Sequence, residues 1–198
     1  MISKPRPSLI FATGLTTLLQ VMLPAQELML ADCSNQEAKT LEWRIVNDGV
    51  MGGLSKGQFE IIENGVLKFT GNLSLENNGG FSSIRTGEIQ RNLAAAQGVS
   101  LRVKGDGRTY QLRFGTEARF RGMEVSFLVE FPTEKNEWVE VKLPFEEFVG
   151  SFRGRTLKDY RFEPAKIRRM GLLIADKKAG PFSLEIDWIQ TYGSGKTQ

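Results

Sequence analysis

Val99-Ser100-Leu101-Arg102-Val103 and, after Lys104-Gly105-Asp106-Gly107-Arg108, Tyr110-Gln111-Leu112-Arg113-Phe114 decide the class of fold. Each run alternates apolar with polar residues, the period of an extended strand covered on one face. Glycines on either side of Asp106 turn the chain between them. The two runs read as a returning pair with one apolar face, the other carrying Arg102, Gln111 and Arg113.

The pattern continues in both directions. Downstream, Val125–Phe131 and Trp138–Leu143 repeat it across a Pro132–Asn136 turn. Arg168–Ala175 is largely apolar, as a central strand is, and Leu184–Ile189 alternates again to close the domain. Upstream, Gln58–Ile61 and Val66–Phe69 flank Glu63-Asn64-Gly65, and Asn-Gly between two such runs marks a hairpin. Asn77-Asn78-Gly79-Gly80 leads into a strand over Phe81–Arg85, and Leu28-Met29-Leu30 is a further short apolar run. Ser34, with Glu37 three residues on, predicts one helical turn over residues 34–39. Short strands, turn-rich joints and almost no 3.6-residue periodicity predict an all-β fold, an antiparallel β-sandwich or barrel.

The totals bound the function. The 198 residues are 40% hydrophobic and 25% charged, ordinary for one globular domain that needs neither disulfide nor metal. Residues 1–25 read as a signal peptide: Lys4 and Arg6 precede an apolar stretch that ends at Pro24-Ala25. The domain then occupies residues 26–193, with a polar tail at 194–198; with a true signal peptide the protein is expected to be exported, periplasmic or secreted, and otherwise cytoplasmic or membrane-associated. Losing Lys4 and Arg6 lowers the formal charge from +3 to +1, too little to drive binding to nucleic acid. Neither an integral membrane domain after the leader nor a cofactor is expected.

Catalytic constellations are scarce. The chain has no histidine, so the commonest metal ligand and general base is missing. Its single cysteine, Cys33, can form neither an internal disulfide nor a multi-cysteine zinc site. Glu185 and Asp187 lie on one side of a strand, where alternation explains them as well as acid–base chemistry does. The glycine pairs do not have the spacing of phosphate loops, and no loop is dense enough in carboxylates for calcium. No catalytic residue and no metal ligand is assigned.

Two segments stand out as binding candidates. Trp43-Arg44-Ile45-Val46-Asn47-Asp48-Gly49-Val50-Met51-Gly52-Gly53-Leu54-Ser55 runs from an apolar strand into a turn with three glycines and a Val-Met tip. Such a shaped loop either makes a tight crossover or carries function. Phe152-Arg153-Gly154-Arg155-Thr156 sets two arginines around a glycine, to clamp an acidic group or to pair with Asp159 or Glu163. Trp43, Trp138 and Trp188 would suit sugar stacking, but each sits in an alternating strand where a core residue is expected.

These runs together, with Gly79–Arg85 (GGFSSIR), Val103–Tyr110 (VKGDGRTY), Trp138–Phe148 and Ile174–Ile189 (IADKKAGPFSLEIDWI), resemble the CIA30 family, the domain of the complex I intermediate-associated protein. The resemblance implies a galactose-binding-like jelly roll and a chaperone-like role in assembling respiratory NADH:ubiquinone oxidoreductase, without catalysis. It marks Asn47, Asp48, Gly49, Met51, Gly52 and Gly53, with Arg153, Gly154 and Arg155, as motif positions. The expected partner is therefore a protein, such as a respiratory-complex assembly intermediate. The alternative is a glycan, bound by an exported carbohydrate-binding module.

Overall fold

The computed structural model describes residues 27–32, 34, 41–62 and 65–193, with Val50 described by its backbone alone. The leader over 1–25, Cys33, most of the helical turn over 34–39, the Glu63-Asn64 part of the hairpin turn and the tail at 194–198 lie outside the described residues. In chain order the strands are β1 (Met29–Asp32), β2 (Arg44–Asn47), β3 (Lys56–Ile61), β4 (Leu67–Leu73), β5 (Ser82–Arg85), β6 (Gly98–Lys104) and β7 (Thr109–Phe120). There follow β8 (Met123–Pro132), β9 (Trp138–Pro144), β10 (Val149–Phe152), β11 (Arg155–Leu157), β12 (Arg169–Ile174) and β13 (Gly180–Tyr192).

Among the described residues they make two antiparallel sheets, as the alternation predicts. One has the order β3-β4-β13-β6-β9, with β1 added to β13, and the other β11-β10-β8-β7-β12-β5-β2. The residues between the sheets are those the period-2 pattern turns inward. Tyr110, Leu112 and Phe114 of β7, Phe127 and Phe131 of β8, and Leu172 and Ile174 of β12 are fully buried. They face Phe69 of β4, Leu101 and Val103 of β6, and Leu184 and Ile186 of β13. Burying each of the large side chains contributes roughly 1.5–3 kcal/mol.

β12 is central, between β7 and β5, as its apolar sequence predicts. The expected returning pairs differ. β6 pairs with β13 and β9, whereas β7 pairs with β8 and β12, so the two runs lie in opposite sheets. The same holds for β8 and β9. Alternation reports which face is covered, and it reads alike in a hairpin and in a crossover between layers. Arg102 therefore faces outward from one sheet, and Gln111 and Arg113 from the other.

Three crossovers between the sheets, β6–β7, β8–β9 and β12–β13, are tied together through Arg108. The Thr133 N–H and hydroxyl both donate to the Arg108 carbonyl, at 3.1 and 2.8 Å. Its guanidinium donates to both Asp176 oxygens, at 2.9 and 2.6 Å, and to the carbonyls of Lys178, Gly180 and Pro181. Both side chains are buried. Replacing one member of such a pair strands the other charge and costs about 3–5 kcal/mol. Arg108→Met should therefore lower the urea midpoint by that equivalent, measured by circular dichroism.

Candidate functional site

The outward positions of the seven-stranded sheet floor a cleft of about 840 Å³. Strand register orders that floor in rows. Arg113 lies opposite Gly171, which lies opposite Arg85, and Leu128 continues the row on the far side of Arg113. A second row runs Ser126, Gly115, Arg169, and a third runs Glu130, Gln111, Leu173, Ser83. Gly171 is required for this floor. A methyl group there would stand 2.7 Å from the Ile84 carbonyl oxygen and 3.1 Å from Arg85 Cγ.

The charges on the floor are unevenly paired. Arg169 donates to both oxygens of Glu124, at 3.1 and 3.0 Å. Arg113 donates twice to Gln111 Oε1, at 2.9 and 2.6 Å, and Gln111 donates to Glu130 at 2.8 Å. The Arg85 guanidinium makes no hydrogen bond or ion pair among the described residues. Burial pushes the Arg113 guanidinium down to about 10, the charge of Arg85 adding to the fall and that of Glu130 opposing it. Burial also lowers Arg85, with the charge of Glu124 countering the shift and that of Arg169 adding to it. Both remain cations at neutral pH, held at a cost in desolvation.

The two sequence candidates form opposite rims of this cleft. From one side comes the 3-10 turn Asp48–Met51, which ends at Gly52 with φ +90°, and its Met51 lines the cleft with Leu75 and Phe81. From the other comes the β10–β11 hairpin, contributing Val149, Phe152, Arg153 and Gly154. Positive φ at both Arg153 (49°) and Gly154 (78°) makes its turn type I′. An arginine in that left-handed position is uncommon and holds its side chain at the tip. Neither Arg153 nor Arg155 forms an ion pair among the described residues, and Glu163 is engaged by Lys166 instead. A stack of rings, with Phe148 and Phe162 centroids 4.9 Å apart, anchors the segment behind this hairpin.

Asn47 and Asp48 hold the loop and do not face the cleft. Asn47 Oδ1 accepts from the Gly57 N–H at 3.2 Å and the Ser82 hydroxyl at 2.7 Å. The fully buried Asp48 carboxylate accepts backbone N–H bonds from Ser55 (2.9 Å), Gly80 (2.7 Å) and Phe81 (3.3 Å). Both its oxygens are thus occupied, so they do not form an open calcium site. Gly53 is explained by Asp48: a methyl group on Gly53 would lie 2.3 Å from the carboxylate carbon. Gly49 has open space at that position, and nothing in the structure explains it.

Arg85, Arg113 and Arg169 escaped sequence reading as site residues. Their signal is spread over three strands, at outward positions that carry arginine beside glycine or serine. The acids Glu185 and Asp187 lie on the other sheet, paired with Lys104 and Arg102. Trp43 is buried, Trp138 lies 5.0 Å beneath Arg102, and Trp188 is on β13, so none of the tryptophans lines the cleft.

Fold and cleft define a two-sheet module with a concave polar face. The chain belongs to the complex I intermediate-associated protein 30 (CIA30) family, whose family model matches residues 33–186. It is 35% identical over 96 residues to mouse (Mus musculus) complex I intermediate-associated protein 30, mitochondrial, covering 46% of this chain and 29% of that one. The Drosophila melanogaster protein of the same name is 26% identical over 169 residues, 75% of this chain and 57% of its own length. The chain thus spans less than two thirds of either relative. Among solved structures, the family 11 carbohydrate-binding module of the Clostridium thermocellum cellulase Lic26A-Cel5E superposes with TM-score 0.64 at 13% identity, over 87% of this chain and 97% of that one. The module in complex with a β-1,3-1,4-mixed-linked tetrasaccharide gives TM-score 0.64 at 13% identity, over 86% and 98%. At that identity the likeness is one of fold.

Burial opposes ionisation of Asp48, but the hydrogen bonds from Ser55, Gly80 and Phe81 outweigh it and hold its pKa below the ordinary carboxylate value. Burial likewise opposes ionisation of Asp176, and Arg108 and the Lys178 N–H outweigh it. A carboxyl that titrates lower when folded stabilises fully above the unfolded value, about 4, and loses that contribution as pH falls through the folded one. The urea midpoint should therefore drop below about pH 4. Asp48→Asn should cost roughly 1–3 kcal/mol at pH 7, a difference that narrows in acid as the wild-type carboxyl protonates.

Proposed function

We propose that this chain is a non-catalytic, protein-binding module of assembly-factor type that holds its partner in the cleft over the seven-stranded sheet. Membership of the CIA30 family supports a subunit or intermediate of respiratory NADH:ubiquinone oxidoreductase as that partner. The observation that carries the reading is the rim. Met51, Leu75 and Val149, at 56%, 46% and 45% exposure, bring large apolar groups to solvent on both sides of one polar floor. Apolar anchors around a floor of fixed polar groups suit a protein surface, and methionine adapts to varied ones. Asn47, Asp48 and Gly53 shape the loop, whereas Met51, Arg153 and Gly154 meet the partner in this reading. The leader serves as an export signal, so that the partner is met outside the cytoplasm.

The carbohydrate-binding alternative draws on the fold of the solved modules and on the size of the cleft. The position of the tryptophans weighs against it, since Phe81 and Phe152 are the aromatic residues of the lining and both sit at its rims.

Met51→Asp and Val149→Asp change exposed positions and should leave stability within about 0.5 kcal/mol. Each should remove the specific partners that co-purify with the wild-type chain, identified and quantified by mass spectrometry. Unchanged partner sets would overturn the reading, as would calorimetric binding of the mixed-linked tetrasaccharide. The mature N-terminus, read by mass spectrometry, is expected near Gln26; an intact leader would remove the export assignment.

A further inference from the structure

We infer that Arg85 and Arg113 are a receptor for one carboxylate, carried by an acidic side chain in an extended segment of the partner protein. The inference rests on the protein-binding reading above and names the chemistry that the cleft selects.

The floor of the cleft holds three arginines, Arg85, Arg113 and Arg169, against two acids, Glu124 and Glu130. Arg169 is matched by Glu124, and Glu130 reaches Arg113 only through Gln111. On the floor itself one positive charge is left over, and the guanidinium without a hydrogen bond or ion pair among the described residues is that of Arg85; Arg153 and Lys177 elsewhere in the lining add to the positive excess. A folded protein gains little by holding two neighbouring, partly desolvated arginines whose nearest acids, Glu124 and Glu130, are already bonded to Arg169 and Gln111. The bare backbone of Gly171 separates them in the row, and the Arg85 side chain leans over it, its Cγ 3.1 Å from where a methyl group would stand, so both arginines line the same stretch of the cleft. An incoming monoanion would complete the charge balance and offer two oxygens to guanidinium donors, the arrangement arginine suits best.

The rims select the carrier. Met51 and Leu75 on one side and Val149 on the other offer aliphatic surface that an acidic peptide covers with flanking apolar side chains. An acidic sugar would set hydroxyl groups against the same atoms. In an extended segment neighbouring side chains point to opposite faces, so a glutamate can reach the floor while the residues beside it stay near the rims.

The test uses the full chain and a fluorescein-labelled, C-terminally amidated peptide with a Leu-Glu-Leu core between Gly-Ser flanks, followed by anisotropy. The Glu peptide should bind, and its Leu-Gln-Leu counterpart should bind about tenfold or more weakly, the loss of one charge-assisted hydrogen-bond pair. Arg85→Met should weaken the Glu peptide by a similar factor while leaving the urea midpoint unchanged or higher, because it removes a cation that the fold leaves unpaired. A purely structural arginine would lower the midpoint instead. Should Arg85→Met not fold, the Nε resonances of Arg85 and Arg113 in the ¹⁵N-labelled wild-type chain should shift with the Glu peptide and not with the Gln peptide.

Equal affinity for the two peptides, no measurable binding of the Glu peptide, or a lowered midpoint in Arg85→Met would overturn the inference. Trigalacturonate displacing the label at lower concentration than unlabelled Glu peptide would also overturn it, in favour of an acidic sugar. Partner loss in Met51→Asp together with equal Glu and Gln affinities would sink the carboxylate receptor and leave the protein-binding reading standing. Selective Glu binding with an unchanged partner set in Met51→Asp would do the reverse.

Discussion

Arg108 is the point on which the sandwich turns. Two sheets packed face to face must be joined by chain that leaves one layer and enters the other, and here three such passages meet at one end. The backbone of Arg108 takes the Thr133 hydrogen bonds of one passage, and its guanidinium takes the carbonyls of another. Asp106, two residues earlier, accepts from the Tyr110 hydroxyl at 3.1 Å and from the Ser183 N–H at 2.8 Å. With those bonds in place, β7 and β13 have fixed starting points in opposite layers. The registers that build the cleft floor are measured from there.

Against that scaffold the cleft is an exception to the usual economy of a folded chain. Elsewhere some charges are matched, Arg168 with Glu88 and Glu117 and Lys104 with Glu185, and others, such as Arg121, are left to water. Inside the sandwich apolar side chains fill the layer. On the floor, by contrast, cations are crowded, one is unpaired, and a glycine stands where a larger residue would strengthen a strand. Departures of this kind, gathered on one concave face and flanked by exposed aliphatic groups, are what make this face the candidate site.

Alternating runs such as Leu101-Arg102-Val103 and Leu112-Arg113-Phe114 made strand positions, inward faces and the all-β class legible from sequence. They did not reveal which strands are neighbours. A local pattern is blind to whether the next strand returns in the same sheet or crosses to the other, because both leave one face covered. The candidate site was legible only at its rims. Met51 and Arg153–Gly154 lie in continuous, glycine-punctuated motifs that catch the eye. Asn47 and Asp48, in the same motif, proved to be internal fasteners, since a turn-former's side chain binds its own loop as readily as a ligand. Arg85, Arg113 and Arg169 are far apart in sequence and become neighbours only through the β5–β12–β7 registers, which no single stretch encodes.

The longest strand, β13, has a consequence for the life of the chain on the ribosome. It lies at the middle of its sheet, pairing with β4 and β1 on one edge and β6 on the other, and Leu28 is bonded to Thr191. Until residues 180–192 emerge, those three earlier strands have no common neighbour and present open edges, the surfaces by which nascent β proteins stick to one another. Pairing in this layer must therefore wait until residues 180–192 have been made, so its early strands spend most of their synthesis without the neighbour that joins them.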